Sequence, residues 1–365
     1  MSPHLRGPGD GTGMTAAFPE EAYAAALASA SKVGPATLRR LLAHDPPSVA
    51  WSRSGLGGED AVARAWQRHE ELDITVLTSG SPEYPARLRH DPEAPAVLFC
   101  RGNPAVLNQL PTAALVGTRS PTRYGIGVAA QLGAELAAAG VSVVSGLALG
   151  IDGAAHEGAC AAGAPPIAVV AGGLGDPYPR RHERLWGRVA AQGAIVSESP
   201  AGVRTEKWRF PVRNRLLASL SDVVVVVESR HGGGSRHTVE AALALAVPIG
   251  AVPGSIRSPT SEGTNALLAD GCFPVCGVTD ILVALSLNGV TLAGPIPDPA
   301  AASASAAAEY RGPDRALFDA LSPDPSSLDQ LARLTGLDLP ALCGGLERLA
   351  QAGVARDVGG WWERT

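Results

Sequence analysis

Residues 176–215 combine basic and aromatic side chains in a pattern that suits a nucleic acid. Nine Lys or Arg residues oppose four Asp or Glu residues there, so the segment carries +5 in a chain whose net charge is -5. Four aromatic residues lie among them: Tyr178, Trp186, Trp208 and Phe210. Arginine can pair with phosphates while unstacked bases lie on aromatic rings. The part at 180–188 is more typical of a solvated charged face, whereas the sequence KWRFPVRNR at 207–215 favours a binding site.

A second pattern is a polar or glycine-rich cluster after each of six short apolar runs. The clusters lie at 117–120, 145–152, 172–176, 197–200, 228–235 and 253–255. In an open α/β sheet, the carboxyl ends of the strands form the edge at which ligands bind. Glycine lets the backbone approach a ligand closely, and helix N-termini there offer free N–H groups to anions. The six clusters therefore predict an anion-binding edge.

The sequence also limits which anion this edge can bind. It contains no GxxxxGK[ST] motif, which excludes a P-loop, and GTRSPTRYGIG at 117–127 replaces the GxGxxG fingerprint of dinucleotide binding. Affinity for phosphate must then depend on arginine.

The apolar runs indicate the elements that carry these clusters. They lie at 113–116, 141–144, 167–170, 194–196, 223–227 and 249–252, and Ala-rich amphipathic helices separate them. This alternation predicts an α/β fold, a Rossmann-like doubly wound and mostly parallel sheet. The run of five valines at 223–227 is typical of a central strand that is buried on both faces.

Two smaller modules flank this core. Residues 17–72 predict a helical module with a Val33-Gly34-Pro35 turn, either a phosphate-binding helix-hairpin-helix or two packed helices. A Pro/Ala/Ser-rich linker is predicted at 291–309, and helices followed by a hairpin at 310–365 predict a winged helix. Residues 1–16 are expected to be disordered, and 73–290 form the predicted Rossmann-like domain.

Composition limits the environment of the protein. The apolar fraction of 45% fits a globular protein, and no apolar run reaches the roughly 20 residues that span a membrane. Five scattered cysteines without a CxxC pair indicate reduced thiols in the cytoplasm. Cys272 and Cys276 are interpreted as small buried residues rather than zinc ligands. No metal site and no cofactor is predicted.

Eight successive motifs resemble those of the DNA-processing protein A (DprA/Smf) family, in the order and at the spacing of that family. They are VGTRSPTRYG, SGLALGIDGAAH, GGLGDPYP, GAIVSESP, FPVRNRLLASLSDVVVVVE, GGSRHT, AVPG and SEGTNALLADG. The motifs cover about residues 80–285, and both flanking modules match domains of many family members. The resemblance implies a protein without known catalysis that binds and protects single-stranded DNA. It also implies a homodimer that helps to load the RecA recombinase during natural transformation or recombination.

The resemblance assigns roles to individual residues. Arg119 would grip a phosphate, Phe210 would stack on bases, and Arg213 and Arg215 would bind phosphates. The other residues expected at the DNA are Gly117, Thr118, Ser145, Gly146, Gly150, Asn214, Gly234, Ser235 and Thr238. Supporting roles are expected for Asp152, His156, Glu198 and Lys207.

Some residues depart from the family pattern or allow another function. Gly233 replaces the usual serine, and Arg236-His237 replaces small apolar residues, so the shape of that loop can differ. Glu198 and Glu228 could form a carboxylate pair, as in nucleoside-phosphate phosphoribohydrolases of the lysine-decarboxylase-like superfamily. Against this alternative, Glu240 lies two residues after Thr238, where those enzymes have three, and the proline of their PGGxGTxxE motif is missing.

The tail leaves a further alternative open, a transcription regulator with a ligand-sensing core. Residues 326–365 hold four arginines and five acids, which gives -1. Duplex binders rely on several cationic contacts to phosphates. We therefore expect the tail to contact a protein or to assist at DNA ends.

Overall fold

The structure is a computed structural model and describes residues 18–294, 296, 310–322 and 324–364. The disorder expected for 1–16 and most of the linker expected at 291–309 lie outside the described residues. The fold divides into two compact units. The first unit comprises the chain up to Gln109 together with Ile167–Leu220, and the second comprises Leu110–Pro166 and the chain from Ser221 onward. The predicted domain boundaries stay a prediction.

Helices and strands are numbered in chain order. The helices are α1 (Glu20–Ser29), α2 (Pro35–Leu42), α3 (Pro47–Ser54), α4 (Glu59–Glu71), α5 (Arg123–Ala138), α6 (Ile151–Ala159), α7 (Glu183–Gln192), α8 (Arg209–Ser219), α9 (Arg236–Ala244), α10 (Glu262–Ala269), α11 (Val278–Leu287), α12 (Gly312–Ala320), α13 (Leu328–Thr335) and α14 (Leu339–Gln351). The strands are β1 (Ile74–Thr78), β2 (Val97–Gly102), β3 (Thr112–Val116), β4 (Ser142–Ser145), β5 (Ile167–Val169), β6 (Ala194–Ser197), β7 (Val223–Val226), β8 (Ile249–Ala251), β9 (Phe273–Pro274), β10 (Ser326–Ser327), β11 (Ala355–Asp357) and β12 (Trp361–Arg364).

In the first unit, four strands follow the order β1-β2-β6-β5. β2 pairs antiparallel with both β1 and β6, and β6 pairs parallel with β5. The four helices α1–α4 form the predicted helical module, with Gly34 in an extended conformation before Pro35 starts α2. Proline is favoured there because the first N–H of a helix has no intrahelical partner.

In the second unit, five parallel strands follow the order β4-β3-β7-β8-β9. The all-valine β7 lies between β3 and β8, and each of its residues is buried. The Asp222 carboxylate accepts hydrogen bonds from the N–H and the Oγ1 of Thr112, which fixes where β3 begins beside β7. The α/β fold with a mostly parallel sheet is thus confirmed.

The winged helix predicted for the tail is also confirmed. Helices α12–α14 pack around a leucine core, and β10, β12 and β11 form an antiparallel sheet. The Ser327 side chain accepts from the N–H of Gln330, while the Gln330 side chain accepts from the N–H of Ser327. This capping box satisfies N–H groups that the first turn of α13 leaves unbonded.

None of the described helices is long and apolar enough to cross a membrane. All five cysteines are free thiols. The interpretation of Cys272 and Cys276 as buried residues is wrong, because Cys272 is half-buried and Cys276 is exposed. Their neighbourhood is a short edge strand, β9, which offers little cover to side chains.

Candidate nucleic-acid interface

In the second unit, the loop after β3 is held by the ends of β7 and β4. The N–H of Thr118 donates to the carbonyl of Glu228 (2.8 Å), and the N–H of Ile151 donates to the carbonyl of Thr118 (3.3 Å). A Cβ at Gly150 would lie 2.4 Å from the Thr118 carbonyl oxygen, and Gly150 has φ +85°. Only glycine fits this close approach without strain. Gly117, Thr118 and Gly150 therefore meet at the carboxyl edge of this unit, as predicted, and Arg119 is exposed beside them.

Glu228 positions this loop through its buried carboxylate. Its Oε2 accepts from the N–H of Thr122 (2.8 Å), and its Oε1 accepts from the hydroxyls of Thr122 (2.6 Å) and Thr260 (3.3 Å). The side chain is 2% exposed. A buried carboxylate needs such donors because desolvation is costly. Thr122 also caps α5, since its hydroxyl accepts from the N–H of Gly125.

The residues after β4 are mostly buried. The hydroxyl of Ser145 donates to the carbonyl of Leu115 (2.6 Å), which ties β4 to β3. Gly146 is buried, and so are Asp152 and His156 in α6. The burial of Asp152 and His156 favours the supporting roles expected of them, and their relation to DNA stays a prediction.

The loop after β7 turns its serines inward, whereas the basic residues that follow Glu228 face outward. Ser235 is buried with its hydroxyl 2.7 Å from that of Ser229, and Thr238 is 1% exposed, whereas Gly234 is exposed. The two departures from the family pattern, Arg236 and His237, face solvent. Both pair with Glu240, at 2.7 Å and 3.5 Å.

In the first unit, the loop after β6 carries a buried ion pair. Glu198 accepts a hydrogen bond from Nη2 of Arg215, and their side chains are 12% and 16% exposed. Burial raises the pKa of the Glu198 carboxyl, and the positive charge of Arg215 opposes this rise. Ser197 donates to the carbonyl of Gly172 and accepts from the N–H of Ser199, so the ends of β5 and β6 are joined.

Helix α8 directs its three site residues differently. Arg213 is 5% exposed and donates from Nη1 to the carbonyl of Val169 at the end of β5. Asn214 and Arg215 are half-buried. The phosphate-binding roles expected for Arg213 and Arg215 stay a prediction, but the contacts of both guanidinium groups fix α8 against the strand ends.

The start of α8 presents a set of aromatic and basic groups. Phe210 is half-buried and lies 6.0 Å, centroid to centroid, from the exposed ring of Tyr178. The guanidinium of Arg209 lies 4.3 Å from the ring centroid of Trp208, which is 56% exposed. Lys207 is exposed next to them. Exposed rings beside cations can stack bases and bind phosphates at the same time.

Three structural partners were missed at the level of sequence. Thr122 and Thr260 hold Glu228, and His69 in α4 holds the loop after β6. Nδ1 of His69 donates to the carbonyl of Ala65 (2.7 Å), so Nε2 is the acceptor for the N–H of Ala201 (3.2 Å). A threonine directly before a helix is a typical N-cap, which could have identified Thr122. Nothing in the local sequence marks Thr260 or His69.

In the winged helix, three arginines of the tail interact with groups of the tail itself. Arg348 in α14 donates from Nε to Asp314 (2.9 Å), and Arg356 bonds Glu363. Arg364 lies over the ring of Phe318. Pairing with acids lowers the positive charge that these side chains can offer to a phosphate. Among the residues that the structure describes, no group of three or more His, Cys, Asp or Glu side chains could hold a metal ion.

Two family profiles match the chain. The profile of the DNA recombination-mediator protein A family matches residues 75–286, and that of the DprA winged helix domain matches 298–360. A DNA processing protein DprA of Mycobacterium tuberculosis is 41% identical over 282 residues, which cover 76% of this chain and 70% of that protein. The DNA processing protein DprA of Bacillus subtilis is 35% identical over 234 residues, 64% of this chain and 79% of that protein.

Solved structures agree with the family profiles. DNA processing protein A from Streptococcus pneumoniae matches with a TM-score of 0.62 and 26% identity, over 73% of this chain and 98% of that chain. DNA processing protein A from Helicobacter pylori, described for its mode of binding single-stranded DNA, matches with a TM-score of 0.54 and 29% identity. That match covers 60% of this chain and 97% of that chain. With its core and its tail both matched, the chain belongs to the DNA recombination-mediator protein A (DprA/Smf) family.

Proposed function

We propose that this protein binds and protects single-stranded DNA and helps RecA to assemble on it during natural transformation or recombination. It works as a homodimer in the cytoplasm, and it acts by binding rather than by catalysis. Membership of the family supports this proposal, as does the likeness to the Helicobacter pylori protein whose single-strand binding has been described.

One observation carries the proposal, namely the exposed set of aromatic and basic groups at the start of α8. Lys207 and the Trp208 ring are exposed there, and Phe210 lies half-buried beside Tyr178. Stacking on a ring is available to any unpaired base but not to a paired one, so this surface selects single strands with little preference for sequence. Arg119, exposed on the loop after β3 of the second unit, is the further phosphate contact expected.

The contacts of the acids support binding rather than hydrolysis. Glu228 accepts three hydrogen bonds from Thr122 and Thr260, and Glu198 is paired with Arg215. Glu240, which a phosphoribohydrolase site would need, is exposed and paired with Arg236 and His237. A general acid or base has to face a substrate with a proton to exchange, and each of these acids already has protein partners.

The test is a titration of the full chain against a fluorescent single strand and the matched duplex at two salt concentrations. The expected result is preference for the single strand, weaker binding at higher salt, and loss of affinity in Phe210→Ala and Lys207→Ala. Arg184→Ala is the matched control, because Arg184 is an exposed arginine of α7 outside the aromatic set. If neither DNA binds, or if Arg184→Ala weakens binding as much as Lys207→Ala, the proposed surface is wrong.

RecA loading and dimerisation need their own measurements. Light scattering at micromolar concentration should give twice the mass of the 37.2 kDa chain. RecA-driven strand exchange on strands coated with a single-strand-binding protein should start sooner when the chain is added. A monomer in the first assay or an unchanged lag in the second would remove that part of the proposal.

A further inference from the structure

The first unit contains a cleft that borders the proposed DNA surface at Trp208 and Arg209 and extends from there to the α1–α2 hairpin. One wall is the α1–α2 hairpin, which includes Lys32 and Gly34. The other wall is formed by the loop after β6, with Glu198 and Ser199, and by the first turn of α8, with Arg209. The cavity measures about 360 Å³. This volume lies within the range of small-molecule sites, roughly 300–1,000 Å³.

Its position favours a ligand over a packing defect. The cleft lies at the carboxyl ends of β5 and β6, where parallel strands of α/β sheets present their ligand sites. Its walls are mainly apolar, with Val33, Leu38 and Val212 among them, while a few polar groups converge on it. An apolar slot with a small number of placed polar groups is the usual design of a site for a flat organic molecule.

Two cations give the cleft a place for an anion. Lys32 is exposed on the hairpin, and the Arg209 side chain is 26% exposed on the opposite wall. Arg209 donates from Nη1 to the hydroxyl of Ser199 (3.1 Å). Its buried Nε lies 3.9 Å from a carboxylate oxygen of Glu206, too far for a hydrogen bond, and has no hydrogen-bond acceptor among the residues that the structure describes. A buried donor without an acceptor costs stability, and an anionic oxygen that draws Arg209 into the cleft would remove this cost.

The same cleft also contains an acceptor. Glu198 lines it, and Arg215, which is not among the lining residues, pairs with the Glu198 carboxylate and balances its charge. A carboxylate accepts hydrogen bonds from N–H groups such as the amino groups of adenine, cytosine and guanine. Thymine offers one ring N–H between two carbonyl oxygens, which a carboxylate repels. The cleft therefore combines phosphate donors with an acceptor for amino-bearing bases.

We propose that this cleft holds one nucleotide, with its base among the apolar walls against Glu198 and its phosphate between Lys32 and Arg209. The nucleotide is either the phosphorylated end of a DNA strand or a free mononucleotide. The inference deepens the proposed function, because a site for a strand end would let the protein distinguish ends from the interior of a single strand.

The experiment is calorimetric titration of the full chain with each of the four deoxynucleoside monophosphates and with a short oligonucleotide, with and without a 5′-phosphate. Wild type should bind the monophosphates of the amino-bearing bases more tightly than thymidine monophosphate. Lys32→Glu should weaken binding by about tenfold or more, since it replaces an attractive phosphate contact with a repulsive one. Arg40→Glu is the matched control, because it makes the same charge change on an exposed residue of the same hairpin outside the cleft.

A second variant keeps the test independent of charge. Val212→Trp places a large ring at the mouth of the cleft, where Val212 is 42% exposed, and should block the nucleotide while the fold remains intact by circular dichroism. If Val212→Trp fails to fold, Lys32→Glu alone decides. Tighter binding of the 5′-phosphorylated oligonucleotide than of the same oligonucleotide without the phosphate assigns the cleft to strand ends. Equal binding of the two oligonucleotides, with the monophosphates still bound, assigns it to free nucleotides.

Failure of this inference differs from failure of the proposed function. Suppose that long single strands bind, but that Lys32→Glu changes the affinity for neither the monophosphates nor the phosphorylated oligonucleotide. The cleft is then not a nucleotide site, and the proposed function stands. Equal effects of Lys32→Glu and Arg40→Glu on nucleotide binding would also overturn the inference. Equal affinity for all four monophosphates would show that Glu198 does not select amino-bearing bases and would overturn that part of the inference. If long single strands do not bind, the proposed function fails whatever the monophosphates do.

Discussion

Replacement of Arg215 separates a structural role from a role in phosphate binding. Arg215 and Glu198 form an ion pair whose side chains are 16% and 12% exposed. Arg215→Met keeps most of the volume but leaves the Glu198 carboxylate buried without its counter-charge. Removing one partner of a buried pair costs about 3–5 kcal/mol, and the residual exposure of this pair lowers our expectation to about 2–4 kcal/mol.

The double variant Glu198→Met/Arg215→Met should recover most of this loss, because it removes both charges together. Replacement of a buried pair by apolar residues of similar volume is often neutral. The assay is thermal unfolding, in which a loss of 2–4 kcal/mol lowers Tm by roughly 4–16 °C for a unit of this size. A single variant with unchanged Tm would contradict the burial argument.

The salt dependence of DNA binding supplies the second readout. Each phosphate contact contributes about 0.7 to the slope of log K against log salt for single strands. We expect Arg215→Met to leave that slope unchanged, whereas Arg119→Ala and Lys207→Ala should each reduce it by about 0.7 with little change in Tm. A lower slope for Arg215→Met at unchanged stability would refute a positioning role and make Arg215 a direct DNA contact.

Three further outcomes are expected. Gly125→Ala should lower the free energy of unfolding by about 1–3 kcal/mol, because its Cβ would lie 2.3 Å from Oε2 of Glu228. Gly127→Ala in the same helix has open space around it and should raise the free energy of unfolding by about 0.5–1 kcal/mol. Equal effects of the two variants in urea unfolding would contradict this. Burial, together with Arg68 and against the hydrogen bond to Ala65, lowers the pKa of His69 below its ordinary value of 6.5. The contribution of neutral His69 to stability should therefore be fully present above pH 6.5 and be lost as the pH falls from there toward the folded-state pKa. Tm should fall with acidification in wild type and fall less in His69→Leu. His44→Gln, at an exposed histidine, is the control. Deletion of residues 310–365 should leave affinity for single strands within about twofold, since Arg348 and Arg356 pair with acids of the tail itself and the tail carries no net positive charge. A tenfold loss would instead favour the regulator hypothesis.

The sheet could be predicted because its signals are local. The expected runs at 113–116, 223–227 and 249–252 correspond to β3, β7 and β8 to within a residue at each end. Valine is a strong β-former, and glycine after each run marks the loop. Partners such as Thr122 and Thr260 could not be predicted for Glu228, because they lie 106 and 32 residues away in sequence.

The direction of the basic side chains was the harder part of the site. Local charge density shows how many arginines a segment has, but not which face of a helix carries them. Because α8 begins at Arg209, Arg213 lies on the same face as Leu216 and Leu217, and all three are buried. Helical spacing could therefore have predicted that Arg213 is buried, provided that the start of α8 was known.

Charged residues at the strand ends thus divide into two groups by burial. Glu228, Glu198, Arg213 and Arg215 shape the loops, and each has a partner fixed by the fold. Arg119 and Lys207 are exposed, so a phosphate can reach them at less cost in desolvation. A buried guanidinium would first have to leave its own acceptor, and this cost offsets much of what a new phosphate contact contributes. Affinity for single strands should therefore follow the exposed cations, while the geometry that makes them effective depends on the buried ones.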